Sequence, residues 1–170
     1  ALLLPSVLRR GQQSWEPREN FKPTLLEVTK VVTAFTLAHS LTLSLAAFGV
    51  ATPNTQWVEV AIALSVGLAA FNNLVPFVPH TRWALAFSLG LMHGFGFVAA
   101  IRDLGSGGSS LWLSVLSFNL GVEAGQLGLV ALFVPMAWRW RAHRLYPRLV
   151  LPLGSAVILG LALVWTAQRL

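Results

Sequence analysis

The sequence predicts an all-α protein, a polytopic transmembrane helical bundle of about five full spans. Three observations carry that prediction. Hydrophobic residues make up 55% of the 170-residue chain and charged residues only 11%, against roughly 25% charged in soluble globular domains. Five apolar windows approach the roughly 20 residues needed to cross a hydrocarbon core. Tryptophans mark the window ends, where amphipathic rings settle at headgroup level: Trp57, Trp83 and Trp112 open spans, while Trp138, Trp140 and Trp165 close them. A mean hydropathy of +0.68 agrees.

Residues 1–8, ALLLPSVL, read as the last turns of a preceding helix. Residues 9–25 hold Gly11, Pro17 and Pro23 with mixed charges, and read as a loop on the membrane surface. Residues 1–25 are thus the end of a truncated span with a cytoplasmic surface segment, and 26–170 the transmembrane domain. Within that domain the spans are expected at about 26–50, 57–76, 82–101, 110–138 and 147–168. Turn signals separate them: Thr52-Pro53-Asn54, Pro76 with Pro79, Gly105-Ser106-Gly107-Gly108, and Tyr146-Pro147.

The net charge of +6 and pI near 11.4 report orientation. One side carries Arg9, Arg10, Arg18, Lys22, Lys30, Arg82, Arg139, Arg141, Arg144 and Arg148, and the other only Arg102 and Arg169. The positive-inside rule makes the first side cytoplasmic. The C-terminus is then outside, in the periplasm if the membrane is a Gram-negative inner membrane. No basic stripe with interleaved stacking residues exists, so nucleic acid is not an expected partner. The chain has no cysteine and two methionines, which removes disulfides, thiolate sites and a soft thioether site. No H-E-x-x-H, G-x-S-x-G or phosphate loop is present, and an enzyme is not expected. Ser40 follows His39, but adjacent helical residues point about 100° apart and make no nucleophile–base pair.

The chemistry lies in polar side chains inside the spans. An ionisable group in lipid is expensive and marks a candidate functional site. His39 lies mid-way along the first span beside a hydroxyl stripe of Thr33, Thr36, Ser40 and Ser44, with Thr42 three residues on. Hydroxyls in such a stripe commonly bond back to their own helix or join neighbouring ones. His93 sits among Gly90, Gly94 and Gly96, glycines that let a helix or ligand come close. Asn119, Glu123 and Gln126 occupy i, i+4 and i+7 and share a helix face, while Gly121, Gly125 and Gly128 form a separate small-residue stripe. No Lys or Arg lies mid-span to pair with Glu123, leaving the histidines, a cation or a proton of its own. Asn72 and Asn73 precede Pro76 and read first as helix termination.

The segments VVTAFTLAHSLTLSLAAFG, VEVAIALSVGLAAFNNL, GLMHGFGF and LSFNLGVEAGQL, in this order, resemble the HupE/UreJ family of bacterial membrane proteins across nearly all of residues 24–168. The resemblance implies a small polytopic inner-membrane protein associated with nickel or cobalt uptake for hydrogenase and urease maturation. It maps His39, Ser40 and Thr42 onto the FTxAHSxTL motif, and His93, Gly94 and Gly96 onto HGFGF. Asn119, Gly121, Glu123 and Gln126 match FNxGVExGQ, and Asn72 with Asn73 fill the NN position. The family pattern has an earlier span with an HxxxGxDH-type motif, and residues 1–8 read as the end of that span.

The expectation is secondary transport or handling of a divalent transition metal, Ni²⁺ or Co²⁺, taken as substrate rather than as a cofactor. His39, His93 and Glu123 are the expected ligands. Ser40, Thr42, Asn72, Asn73, Asn119 and Gln126 would serve as supporting or pathway residues, and Gly94, Gly96, Gly121 and Gly125 as helix-packing residues. The alternative is a non-transporting accessory or structural subunit of a larger membrane complex. Expected partners are the lipid bilayer, the metal ion, and membrane proteins or further copies of the chain.

Overall fold

The computed structural model describes residues 1–11, 15–75, 77, 82–97 and 109–170, with residues 10, 109 and 110 described in backbone alone. Helices dominate it: α1 Phe21–Ala47, α2 Thr55–Leu74, α3 Arg82–Phe95, α4 Ser109–Trp140 and α5 Leu151–Arg169, the last preceded by a π-turn at Tyr146–Val150. Among the described residues four helical stretches are long and apolar enough to cross a membrane: Phe21–Ala47, Thr55–Leu74, Leu111–Trp140 and Tyr146–Arg169. The 14 described residues of α3 span about 21 Å at 1.5 Å per residue, short of the roughly 30 Å hydrocarbon core. The remainder of the expected third span, from residue 98, lies outside the described residues, as does the Gly105–Gly108 turn.

The N-terminal segment differs from the expectation. Residues 1–8 form three successive turns with i→i+3 bonds (Leu4 N to Ala1 O, Ser6 N to Leu3 O, Leu8 N to Pro5 O) rather than a regular helix. A short hairpin follows, β1 Leu8–Arg10 antiparallel to β2 Trp15–Pro17, with Arg9 opposite Glu16. Helix α1 then starts at Phe21, earlier than expected, because Pro23 sits in the first turn, where its missing N–H has no helical partner to lose. It ends at Ala47: Gly49 adopts φ +76° and the N–H groups of Gly49 and Val50 return to the carbonyls of Ala46 and Leu45, a left-handed stop. Helix α2 opens where the turn signal placed it, with Asn54 Oδ1 accepting from Trp57 N. At the head of α5, Pro147 and Pro152 withhold their N–H groups, and Leu151 N bonds back five residues to Tyr146 O.

Helix ends sort by charge in an up-and-down order. At one end gather the hairpin, the starts of α1 and α3, the end of α4 and the start of α5. There Glu27 pairs with Arg18 and lies 3.8 Å from Arg82. Arg82 also donates to Pro5 O, Arg141 to Arg18 O, and the Tyr146 hydroxyl to Leu4 O. Trp15 donates to Asn73 O and lies under Arg82. At the opposite end, Arg169 of α5 meets Glu59 of α2 at 3.1 Å. Arg18, Arg82 and Arg141 thus share one end and Arg169 stands at the other, as the charge count separates them; Arg102 lies outside the described residues.

Packing is tightest between α1 and α3 and between α2 and α5. The second pair is close because Gly67 lets Ala162 approach; a Cβ there would lie 3.3 Å from the Ala162 methyl. Helix α4 meets α1 along an antiparallel seam that is apolar at both ends. Leu43 and Ala47 pack on Val115 at one end, and Val28 packs on Val130 and Val134 at the other. Its middle is polar, and the candidate site lies there.

Candidate functional site

Two hydrogen bonds cross the middle of the α1–α4 seam. Thr36 Oγ1 donates to Gln126 Oε1 and Ser40 Oγ to Asn119 Oδ1, both at 2.8 Å. The four-residue spacing of Thr36 and Ser40 on α1 and the seven-residue spacing of Asn119 and Gln126 on α4 align both pairs on facing stripes. Asn119 is held further by donating to Val115 O at 2.9 Å. Thr42 and Ser44 instead bond back to α1 carbonyls, at Ala38, His39 and Ser40. The hydroxyl stripe therefore divides between interhelical bonds and bonds within its own helix. Glu123 lies on α4 between Asn119 and Gln126; its residue is exposed, and it has no hydrogen-bond or ion-pair partner among the described residues.

His93 is brought to α1 by glycine. Gly90 and Gly94 face α1 so closely that a Cβ on Gly90 would stand 2.5 Å from Phe35 O, and one on Gly94 would overlap Thr42 Oγ1 and His39 O. A Cβ on Gly96 would press on the end of the Ile62 side chain, which can move, and make ordinary contact with His93 O at 3.4 Å. The His93 ring lies edge-on to Phe35 with centroids 5.3 Å apart, and its Nδ1 is 2.8 Å from Leu89 O. A carbonyl only accepts, so Nδ1 carries the proton and Nε2 presents a lone pair. Nε2 has no hydrogen-bond partner among the described residues. His93, Gln126 and Phe35 line a cleft of about 280 Å³, with Val31, Leu89 and Ala1 among the other walls.

His39 lies on the other side of Phe35. It is 1% exposed, and neither ring nitrogen has a hydrogen-bond partner among the described residues. Aromatic rings surround it. Phe35 and Phe118 stack on it at 5.9 and 6.3 Å, and Phe97 meets it edge-on at 5.8 Å. Sequence reasoning passed over these three phenylalanines. Phe35 was open to it, being one helical turn before His39; Phe97 and Phe118 come from other parts of the chain and only the tertiary fold brings them in.

The structure thus joins His39 and His93 through one shared ring, and joins Ser40 and Thr36 to Asn119 and Gln126. Among the described residues no three His, Cys, Asp or Glu side chains group as a ready metal site. Asn72 and Asn73 stand at the charged end of the bundle. Asn72 Oδ1 accepts from Phe77 N beyond the end of α2. Asn73 donates to Ala1 O and to Ser155 Oγ, tying α2 to the N-terminal segment and α5. Gly121, Gly125 and Gly128 face open space: among the described residues nothing beyond their own stretch of helix lies within 4 Å of where a Cβ would stand.

No curated protein and no solved structure shows significant similarity to the chain. A family model described as HupE / UreJ protein matches residues 1–169, and this covers all four polar motifs and the N-terminal turns. The chain belongs to the HupE/UreJ family of membrane proteins.

Proposed function

We propose that this membrane protein binds and moves a divalent transition-metal ion, nickel or cobalt, as its substrate. The observation that carries the reading is His93: an imidazole with Nδ1 engaged by a backbone carbonyl and Nε2 unengaged, on the wall of a cleft inside the bundle. A neutral imidazole oriented through its other nitrogen is a ligand type suited to Ni²⁺ and Co²⁺. Glu123 adds a mid-span carboxylate with no basic partner among the described residues, a group that a passing cation would satisfy. In this reading His39 is a second nitrogen ligand, and Asn119 and Gln126 keep the α1–α4 seam in register around the path. Ligands bind metal in their deprotonated forms, so metal binding is expected to weaken as pH falls and the ligand groups take up protons. The hairpin end faces the cytoplasm and the C-terminus the periplasm of a bacterial inner membrane.

The test is uptake of radioactive nickel by cells producing the protein, comparing wild type with His93→Ala and Glu123→Gln at matched membrane levels. Both substitutions are expected to abolish uptake above background. Equal uptake in all three overturns the role given to these residues. A second reading, an accessory subunit of a larger membrane complex, draws support from the outer face of α4. That helix is the least enclosed of the candidate spans, 17% buried against 44% for α1, and its three glycines lie open to a neighbouring helix.

A further inference from the structure

We infer that Phe35 is a gate between two imidazole stations, His93 open to the cleft and His39 occluded behind it. The inference rests on reading the cleft as the substrate path, but its test does not require that reading to hold. The ring of Phe35 touches both imidazoles, nearly parallel to His39 (12°, 5.9 Å) and edge-on to His93 (64°, 5.3 Å). Phe35 and His93 line the cleft and His39 does not; His39 is instead buried to 1% exposure with both nitrogens lacking partners. On the side of the cleft, the ring that lies against His39 is that of Phe35.

The surroundings make that side chain the movable part. On the α3 side, Gly90 and Gly94 press directly on the backbone of α1, so the frame there is backbone against backbone. Phe118 stacks on His39 from the seam with α4 and also packs against Phe97, 5.1 Å away. Phe35 is half-buried and has the cleft on its free side. In a helix a phenylalanine has two accessible χ1 wells, 180° and −60°, and passage between them swings the ring sideways across its neighbours. Such a swing would bring His39 into continuity with the space His93 already lines, and its return would close His39 off again. Alternating exposure of two ligand positions is the gating role that lids and loops perform elsewhere, here carried by one aromatic ring.

Carbethoxylation of histidine by diethyl pyrocarbonate, followed by peptide mass spectrometry on the purified protein, reads the gate without any metal. In wild type His93 is expected to react at least about tenfold faster than His39. Phe35→Ala is expected to bring His39 to within about threefold of His93, while the rates at His93 and at the exposed His143 stay unchanged. Phe35→Trp keeps the ring in place and should keep His39 protected. Phe35→Leu is the second opening variant, keeping apolar bulk without a ring that can cover His39, and decides the question if the alanine form does not fold. Equal reactivity of the two histidines in wild type overturns the gate. So does continued protection of His39 in the opening variants, or a rise shared equally by His93, which would report a loosened fold. Absence of nickel uptake by the wild-type protein, with His39 protected as expected, would count against the transport reading alone.

Discussion

The approach of α3 to α1 is the packing feature on which the site depends, and Gly94→Ala tests it. The added Cβ would overlap Thr42 Oγ1 and His39 O and lie 2.8 Å from Leu43 N. The hydroxyl of Thr42 can rotate away, but the carbonyl and amide belong to the α1 backbone and cannot. Helix α3 must therefore retreat by roughly 1 Å, and a gap of that size forfeits a quarter to a half of each dispersion contact across the interface. Overpacking of this kind costs about 1–3 kcal/mol, and two immovable backbone atoms place Gly94 toward the upper part of that range. Alanine recovers up to about 1 kcal/mol through its helix propensity, so the net loss is about 1–2 kcal/mol. Gly125→Ala is the matched control: among the described residues nothing beyond its own stretch of helix lies within 4 Å of its Cβ position, and the propensity gain alone predicts zero to about 1 kcal/mol of stabilisation. Reversible unfolding of the monomer in mixed micelles measures both. A Gly94→Ala protein as stable as wild type would refute the close backbone approach, and with it the placement of His93 beside Phe35.

Two further outcomes follow from the polar contacts. A double-mutant cycle between Thr36→Val and Gln126→Leu should yield a coupling near 0.6 kcal/mol and no more than about 1.7 kcal/mol, the range of interhelical hydrogen bonds in lipid; zero coupling in the unfolding titration would remove the seam bond. His39→Leu should leave the unfolding midpoint unchanged or raise it, since the imidazole has no hydrogen-bond partner among the described residues, and a loss above about 1 kcal/mol would reveal a structural partner for it.

Helix placement was legible because a hydrocarbon core imposes length and apolarity that little else in a sequence imitates. Among the described residues, Arg18, Arg82 and Arg141 gather at the hairpin end and Arg169 at the opposite one, because basic residues at span ends had few other places to go. The boundaries slipped where a local signal had two meanings: Pro23 read as a loop breaker but sits in a first turn, and Gly49 ends α1 before the apolar run is over. The N-terminal turns and hairpin escaped because Val7 and Leu8 look like lipid-facing residues. They are instead 0% exposed, packed on Ala137, Tyr146 and Leu151. In the site, the seam pairs were half visible, since the stripes on α1 and α4 could each be read but not their register. The aromatic enclosure of His39 was not visible, because periodicity says which face a residue occupies and not what stands opposite.

His39 is where the energetics bear most directly on the proposed gate. Interhelical hydrogen bonding on α1 is already done by its neighbours Thr36 and Ser40, with partners at 2.8 Å. His39, between them in sequence and more deeply buried, bonds to nothing among the described residues. Each unsatisfied buried donor or acceptor costs about 1–3 kcal/mol, and neutral imidazole has one of each. Contacts of the ring edge with Phe97 return only a fraction of that, since interactions of N–H with aromatic faces are weak. Leucine or phenylalanine would fill the same aromatic enclosure without the loss. Under the gate inferred above, His39 regains a partner when the enclosure opens, and the ring that would open it, Phe35, is also the ring that touches His93.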